Sequence, residues 1–406
     1  MSSMSDIFRV IQHTVPSHRQ NDALVLSFKQ YIPLDNPNPR SDDVTIIGAP
    51  GNGHVKELYE PLWEELYHRS KTAGFRIRGI WIADGTHQGK SGILNKSRLQ
   101  NNLDWLDHSH DLLRLIEIKH ADMPGPIFGI GHSMGGTQLC VFAYLSRLQP
   151  HILYSLILIE PGIDELSPTS VVQQGIARCA QLSLSSPDTW PSIQAAQEFT
   201  ARNPLFQTWD ARVVKRWLQY GLCDVSSTET ETTLSSQQHN ETSTTAVTLT
   251  TPRHQEMLAY KRPAEPASSD VSSPGNKPSP YYRPEPHRVF AHLPHLRPST
   301  LYLIGGKSPL RSPHLRELRL CYTGTGVGGS GGAVCGRVRE THVPGCGHSL
   351  GLEAVVECAD ESASWLGSEL ERWGRESHDR GKGNEGKEAG SQYSHGVENK
   401  GIRSRL

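Results

Sequence analysis

The pentapeptide Gly131-His132-Ser133-Met134-Gly135 carries the clearest chemical signal in this sequence. In Gly-x-Ser-x-Gly the two glycines let the backbone turn sharply from a strand into a helix, which exposes the serine at the start of the helix. Here the apolar run PIFGIG precedes the serine and the helical pattern GTQLCVFAYL follows it. This context predicts that Ser133 is a nucleophile and that the Met134 amide, at the positive helix end, stabilises an oxyanion.

A serine nucleophile needs a base, and the base needs an acid that orients it. Of the 20 histidines, His348 is predicted as the base because it lies late in the chain, in a tight turn between the last strand and a closing helix. Glu160, at the end of the run LYSLILIE, is the predicted acid, since residues 305–316 after the next strand contain no Asp or Glu. Asp164 is the alternative acid, and a structural salt bridge is the other interpretation of either carboxylate.

The turn Pro50-Gly51-Asn52-Gly53 follows the first buried strand, where a second oxyanion donor is needed. Small residues let a backbone amide approach the substrate, so the Asn52 amide is predicted as that donor, with a plain turn as the alternative. His54 and His132 flank the site and are interpreted as residues that pack or form hydrogen bonds.

Two further segments near these residues are assigned supporting roles. Asp84 and the GTHQGKSG that follows it are interpreted as structural support for the site. Cys346, two residues before the predicted base, is interpreted as a packed thiol.

Apolar runs alternate with helical patterns along the chain, which predicts a mostly parallel, doubly wound sheet with helices on both faces. With the Gly-x-Ser-x-Gly turn around Ser133, this pattern resembles the α/β-hydrolase fold. The predicted strands are Leu24–Ile32, Val44–Gly48, Phe75–Ala83, Pro126–Gly131, Leu153–Glu160, Thr300–Gly305 and Arg337–Val343. Because ligands bind at the carboxyl edge of such sheets, the candidate residues are expected to meet there.

Between two of these strands the alternation stops. Residues 1–160 are therefore predicted as the first part of the core, 161–298 as a large, mainly helical cap, and 299–374 as the second part of the core. The Ser/Thr-rich tract at 225–251 and the Pro-rich tract at 263–287 are predicted to loop over the surface or to be partly disordered.

Composition excludes several classes of partner. The 406 residues carry 41 Lys and Arg against 42 Asp and Glu, a formal charge of -1, so no basic field exists to collect nucleic acid or anionic membrane. The sequence shows neither a signal peptide nor a run of apolar residues long enough to span a bilayer, so neither secretion nor membrane insertion is expected. Seven Cys without metal-binding spacing predict free thiols and no metal site.

The chain ends in Ser404-Arg405-Leu406, a variant of the Ser-Lys-Leu peroxisomal address. Residues 375–406 are rich in Gly, Glu, Lys and Ser and are predicted to be disordered, which would leave the tripeptide accessible to an import receptor. The sequence thus predicts a peroxisomal matrix protein.

Several segments resemble fungal peroxisomal hydrolases of toxin and secondary-metabolite biosynthesis, among them the AKT-type hydrolases of host-selective toxins and the acyl-CoA hydrolase of the mycophenolic acid pathway. The resemblance extends over about residues 6–373 and is carried by KELYEPLWEEL (56–66), GIGHSMGG (129–136), VTLTTP (247–252), YRPEP (282–286) and GRVRETHVPGCGH (336–348). In that acyl-CoA hydrolase the nucleophile, acid and base fall on positions matching Ser133, Glu160 and His348. This family member has Asp at the position of Glu160, and a second departure is that Pro50-Gly51 replaces His-Gly in the oxyanion loop.

The resemblance implies hydrolysis of a CoA thioester or ester of a polyketide- or terpenoid-derived acid inside peroxisomes, without a metal or redox cofactor. It also implies a possible homodimer. Two alternatives stay open from sequence: an acyltransferase on the same fold, in which an alcohol or amine replaces water, and a catalytically silent binding protein.

Overall fold

The computed structural model describes residues 4–19, 22–146, 153–165, 167, 170–225, 245–261 and 280–391. Strands β1 to β11 are, in chain order, Phe8–Pro16, Val25–Pro33, Val44–Ala49, Ile77–Ala83, Ile127–His132, Ser155–Ile159, Thr189–Trp190, Leu222–Asp224, Val247–Leu249, Ser299–Gly305 and Val338–Val343. Helices α1 to α14 are Met4–Ile7, Glu60–Thr72, Gly89–Asn95, Asp107–Lys119, Met134–Leu145, Val171–Ser185, Ile193–Arg202, Pro204–Gln207, Ala211–Tyr220, Arg253–Leu258, Glu285–His292, Pro313–Tyr322, Leu350–Glu353 and Val355–Ser391.

Eight strands form one twisted sheet in the order β1-β2-β4-β3-β5-β6-β10-β11. β1 pairs with β2 and β2 with β4 in antiparallel fashion, and all other neighbours are parallel, which confirms the predicted α/β-hydrolase fold. β1 was not predicted from the sequence. It is an edge strand with a mostly exposed or half-buried surface, so its apolar pattern is weak.

The central strands are buried on both faces, and their alternate side chains feed two separate cores. In β6, for example, Ile157 and Ile159 join the core under α2 and α14. Leu156 and Leu158 join the core under α4, α5 and α11 on the other face. Because both faces are covered, the carboxyl edge of the sheet is where a substrate can reach the strand ends.

The segment between β6 and β10 is the one that the sequence predicts to be a cap, and we keep that name for it. Its described part contains α6 to α11, and also a small antiparallel sheet in the order β7-β9-β8 that the mainly helical prediction lacked. β9 lies inside the Ser/Thr-rich tract that was predicted to be a surface loop; its Val247 is buried in the cap core, and this burial overrides the polar composition. α11 likewise begins inside the Pro-rich tract. Residues 226–244 and 262–279 of these tracts lie outside the described residues.

The closing helix is longer than the sequence predicted. α14 runs to Ser391, through residues expected to be disordered. Its beginning is anchored by Trp365 and Leu366 in the core, and lengthening an existing helix needs no new nucleus, so a polar segment can continue it. Residues 392–406, with the predicted targeting tripeptide, lie outside the described residues. Among the helices described, none has an apolar stretch able to cross a bilayer.

Candidate active site

Ser133 occupies the sharp turn between β5 and α5. Its φ of +52° is in the left-handed region that side chains other than glycine rarely adopt. The turn requires its flanking glycines: a Cβ at Gly135 would overlap the Ala49 carbonyl, and one at Gly131 would lie 2.8 Å from the Gly135 backbone. The Ser133 amide donates to the Ile159 carbonyl at 2.8 Å, which ties the turn to the neighbouring strand.

Glu160 follows β6 at the same edge and also has a positive φ, +50°. Its side chain is 0% exposed, and both of its carboxylate oxygens accept hydrogen bonds. Oε1 accepts from the Gly305 amide at 2.6 Å, and Oε2 accepts from the Ser308 hydroxyl at 2.6 Å. The loop after β10, which contains no acid of its own, therefore holds the Glu160 carboxylate in place.

His348 joins these two residues into one chain. Its Nδ1 lies 3.0 Å from Glu160 Oε2, and its Nε2 lies 2.9 Å from Ser133 Oγ. Because a carboxylate only accepts, Nδ1 carries the ring proton and the bare Nε2 accepts from the serine hydroxyl. The imidazole is 41% exposed and faces the edge of the sheet, where a substrate can approach.

Asp164, the alternative acid, lies in a different hydrogen-bond network. Its Oδ2 accepts from the Ser170 hydroxyl at 2.7 Å, next to the start of α6, and its Oδ1 accepts from the Glu165 amide at 2.8 Å. The carboxylate that contacts the His348 ring is thus Glu160.

The two predicted oxyanion donors lie at the ends of neighbouring strands. The Met134 amide is the first of α5, and the Asn52 amide follows β3. In the part of the chain that the structure describes, neither amide is bound to a protein acceptor, as expected of groups that meet a substrate oxygen. The Asn52 side chain donates to the Glu256 carbonyl of α10 at 3.0 Å, so the cap holds this turn from above.

His54 and His132 are buried beside the site and stack on each other, with ring centroids 5.4 Å apart. Burial, together with the nearby His348, lowers the pKa of His54 to about 4. Burial and the proximity of His54 and His348 lower the pKa of His132 to about 3. Both imidazoles are therefore neutral at physiological pH and add no competing charge near Ser133.

Asp84 holds the segment that follows the turn of residues 50–53. Its carboxylate accepts from the Lys56 amide at 2.8 Å and from the Lys56 ammonium at 2.6 Å, and both side chains are fully buried. The Lys90 amide binds the same carboxylate at 3.2 Å. This ion pair joins the loops after β3 and β4.

The half-buried Cys346 thiol lies 3.5 Å from the Pro344 carbonyl. Burial raises the pKa of this thiol, which disfavours the reactive thiolate. The thiol is thus a packing group in the turn that carries His348.

Sequence reasoning missed three residues around the site. Ser308 binds the Glu160 carboxylate, Tyr59 binds both Gly51 and His132, and Trp209 of the cap packs edge-on against His54. Ser308 could have been found from the sequence, because it is a hydroxyl donor in the segment 305–316, which has no acid of its own. No local pattern distinguishes Tyr59 or Trp209 from ordinary core aromatics, because their partners are distant in sequence.

Comparison with known proteins gives the family. Residues 46–361 match the alpha/beta hydrolase family. The type I acyl-CoA thioesterase mpaH of Penicillium roqueforti is 34% identical over 411 aligned residues, covering 94% of this chain and 93% of that protein. The abhydrolase domain-containing protein AKT2 of Alternaria alternata is 30% identical over 246 residues, covering 60% of this chain and 84% of that protein.

Among solved structures, the peroxisomal alpha-beta-hydrolase Lpx1 of Saccharomyces cerevisiae aligns with a TM-score of 0.63 at 16% identity, covering 89% of this chain and 90% of that one. At this identity the likeness concerns the fold. We conclude from the sharp turn at Ser133, the order of the strands in the sheet and the extended match to fungal relatives that this chain is a hydrolase that belongs to the α/β hydrolase family.

Proposed function

We propose that this protein hydrolyses a CoA thioester, or a related ester, of a polyketide- or terpenoid-type acid through an acyl-enzyme on Ser133. The observation that carries the proposal is the continuous chain from Ser133 Oγ through His348 to the buried Glu160 carboxylate, with contacts of 2.9 and 3.0 Å. The thioesterase name of a relative aligned along nearly the whole chain supports the substrate class.

In the first half of the reaction His348 Nε2 takes the proton of Ser133, and Oγ attacks the thioester carbonyl. The carbonyl oxygen becomes an oxyanion held by the Met134 and Asn52 amides. Collapse breaks the C–S bond, and the imidazolium gives its proton to the departing thiolate, so free CoA leaves and an acyl-serine ester remains.

In the second half a water molecule replaces CoA. His348 takes a proton from the water, hydroxide adds to the acyl carbonyl, and the same amides hold the second oxyanion. Collapse breaks the ester bond, the proton returns to Ser133 Oγ, and the carboxylic acid leaves. Throughout, the Glu160 carboxylate stabilises the imidazolium and is itself held by Gly305 and Ser308.

The matching experiment measures free thiol release from a panel of acyl-CoA esters that vary in chain length and aromatic content. We expect turnover by the wild type and none above background by Ser133→Ala, whose circular dichroism and melting temperature should be unchanged. Turnover that rises when alcohols or amines are added, with acylated acceptors as products, would instead favour an acyltransferase. No thiol release from any thioester or simple ester would contradict the proposal.

We also propose a peroxisomal location, on the basis of the Ser404-Arg405-Leu406 terminus and the fungal relatives. A fluorescent protein fused in front of residues 375–406 is expected to collect in peroxisomes of a fungal cell and to stay diffuse when Leu406 is removed. Equal distribution of the two fusions would contradict this location.

A further inference from the structure

A hydrogen-bonded chain that the mechanism above does not use crosses the site behind the nucleophile. The Gly51 amide donates to the Tyr59 hydroxyl at 3.0 Å. The Tyr59 hydroxyl lies 2.8 Å from His132 Nδ1, and His132 Nε2 lies 2.9 Å from the His348 carbonyl oxygen. Tyr59 is 2% exposed and His132 1%, so water does not compete for these contacts.

The direction of every bond in this chain follows from the groups at its ends. The His348 carbonyl only accepts, so His132 Nε2 carries a proton. The depressed pKa of His132, about 3, caused by burial and by the neighbouring His54 and His348, leaves Nδ1 bare. Nδ1 therefore accepts from the Tyr59 hydroxyl, whose pKa burial raises, and the hydroxyl oxygen in turn accepts from Gly51. Each donor in this series therefore faces one acceptor.

The two ends of this hydrogen-bonded chain, Gly51 and His348, belong to opposite sides of the reaction centre. Gly51 directly precedes Asn52, whose amide is the proposed second oxyanion donor. The bond from the Gly51 N–H to Tyr59 therefore holds the peptide plane immediately before the plane that carries the Asn52 amide. His348 carries the proposed base. From the geometry we infer that Tyr59 and His132 are a positioning pair that sets the separation between the oxyanion turn and the base, and so tunes the reactivity of Ser133.

The identity of residue 132 supports a polar role. The turn around Ser133 requires glycine at 131 and 135 but does not require any particular side chain at residue 132. The side chain of residue 132 is buried between aromatic rings. An apolar side chain would satisfy packing there at lower cost than an imidazole, because a buried polar group is stable only when it is hydrogen-bonded. The pair has no access to substrate, so its action must pass through the residues it holds.

This inference rests on the proposed serine mechanism, and its test uses an irreversible fluorophosphonate probe, which requires only an activated serine. The labelling rate is measured for the wild type, Tyr59→Phe, His132→Leu, His132→Gln and the Tyr59→Phe/His132→Leu double variant. Tyr302→Phe is the matched control, since it removes a buried tyrosine hydroxyl whose partner, Thr323 at 2.8 Å, belongs to neither the Ser133 turn nor the Gly51 turn. Melting temperatures of all variants are recorded to separate stability from reactivity.

We expect Tyr59→Phe and His132→Leu each to slow labelling by about 10- to 100-fold, because small misplacements of reacting groups have effects of this size. The double variant should be no slower than the worse single variant, since the pair acts as one unit. His132→Gln keeps one donor and one acceptor and should exceed His132→Leu in rate. With a p-nitrophenyl ester, kcat should fall in the same order while KM changes little.

The positioning role would be overturned if Tyr59→Phe labelled at the wild-type rate or lost no more than Tyr302→Phe. It would also be overturned if the effects added in the double variant, or if His132→Leu labelled faster than His132→Gln. Failure of the wild type to label at all is a different result, because it would remove the serine mechanism itself. The two failures are therefore distinguishable.

Discussion

Replacing Glu160 by Gln puts an NH₂ group into a site where each of the three contacts of the carboxylate comes from a donor. Oε1 accepts from the Gly305 amide, and Oε2 accepts from both Ser308 and His348, in a pocket that is 0% exposed. Whichever carboxylate oxygen becomes an NH₂ group, that group meets a donor. The Ser308 hydroxyl can rotate to accept, whereas the Gly305 amide and the Nδ1–H of His348 cannot.

The contact between two donors that Gln would create is most readily avoided by a change in the protonation of the His348 imidazole. If the amide nitrogen faces His348, the ring must move its proton to Nε2, where it can no longer accept the proton of Ser133. An acid-to-amide change in a Ser-His-Asp triad costs about 10⁴-fold in kcat for this reason. We expect a loss of about 10³- to 10⁴-fold, which corresponds to about 4–5.5 kcal/mol of transition-state stabilisation.

The assay compares kcat for CoA release and the fluorophosphonate labelling rate in Glu160→Gln and Asp164→Asn. Asp164 makes a similar number of hydrogen bonds near α6 but none to His348, so its amide variant should lose about 1–3 kcal/mol of stability and little activity. If Asp164→Asn loses more activity than Glu160→Gln, or if Glu160→Gln keeps more than about a tenth of kcat, the assignment of the acid to Glu160 is refuted.

Three other outcomes are expected. Gly135→Ala should abolish labelling and lower the yield of folded protein, because the added Cβ overlaps the Ala49 carbonyl; normal labelling would contradict the geometry of the turn around Ser133. Lys56→Met should lower the unfolding free energy by about 3–5 kcal/mol, measured by urea denaturation, because it leaves the buried Asp84 carboxylate unpaired; a neutral effect would contradict this. Burial lowers the pKa of His18, but two carboxylate partners outweigh it and raise that pKa to about 9. The raised pKa stabilises the fold fully below pH 6.5, and the contribution is lost as the pH rises towards 9, so the melting-temperature gap between wild type and His18→Gln should close over that range rather than stay constant.

The central strands and the nucleophile turn were readable from sequence because their signals are local. A strand buried on both faces is a continuous apolar run, and the glycines at 131 and 135 mark a turn that few other residues tolerate. The edge strand β1 and the cap sheet were not readable, because their residues are half exposed or polar and are held by pairing with distant segments.

Sequence by itself determined which residues could do chemistry here: a serine in a strained turn, a histidine in a late glycine-rich turn, and a carboxylate at a strand end, each placed by its own neighbours in the chain. Only the tertiary structure decided which carboxylate faces His348, how Gly305 and Ser308 hold it, and that Tyr59 and His132 link the two sides of the site. These contacts join residues separated by up to 216 positions. Their partners are chosen by the order in which the strands pack, and no local pattern of residues encodes that order.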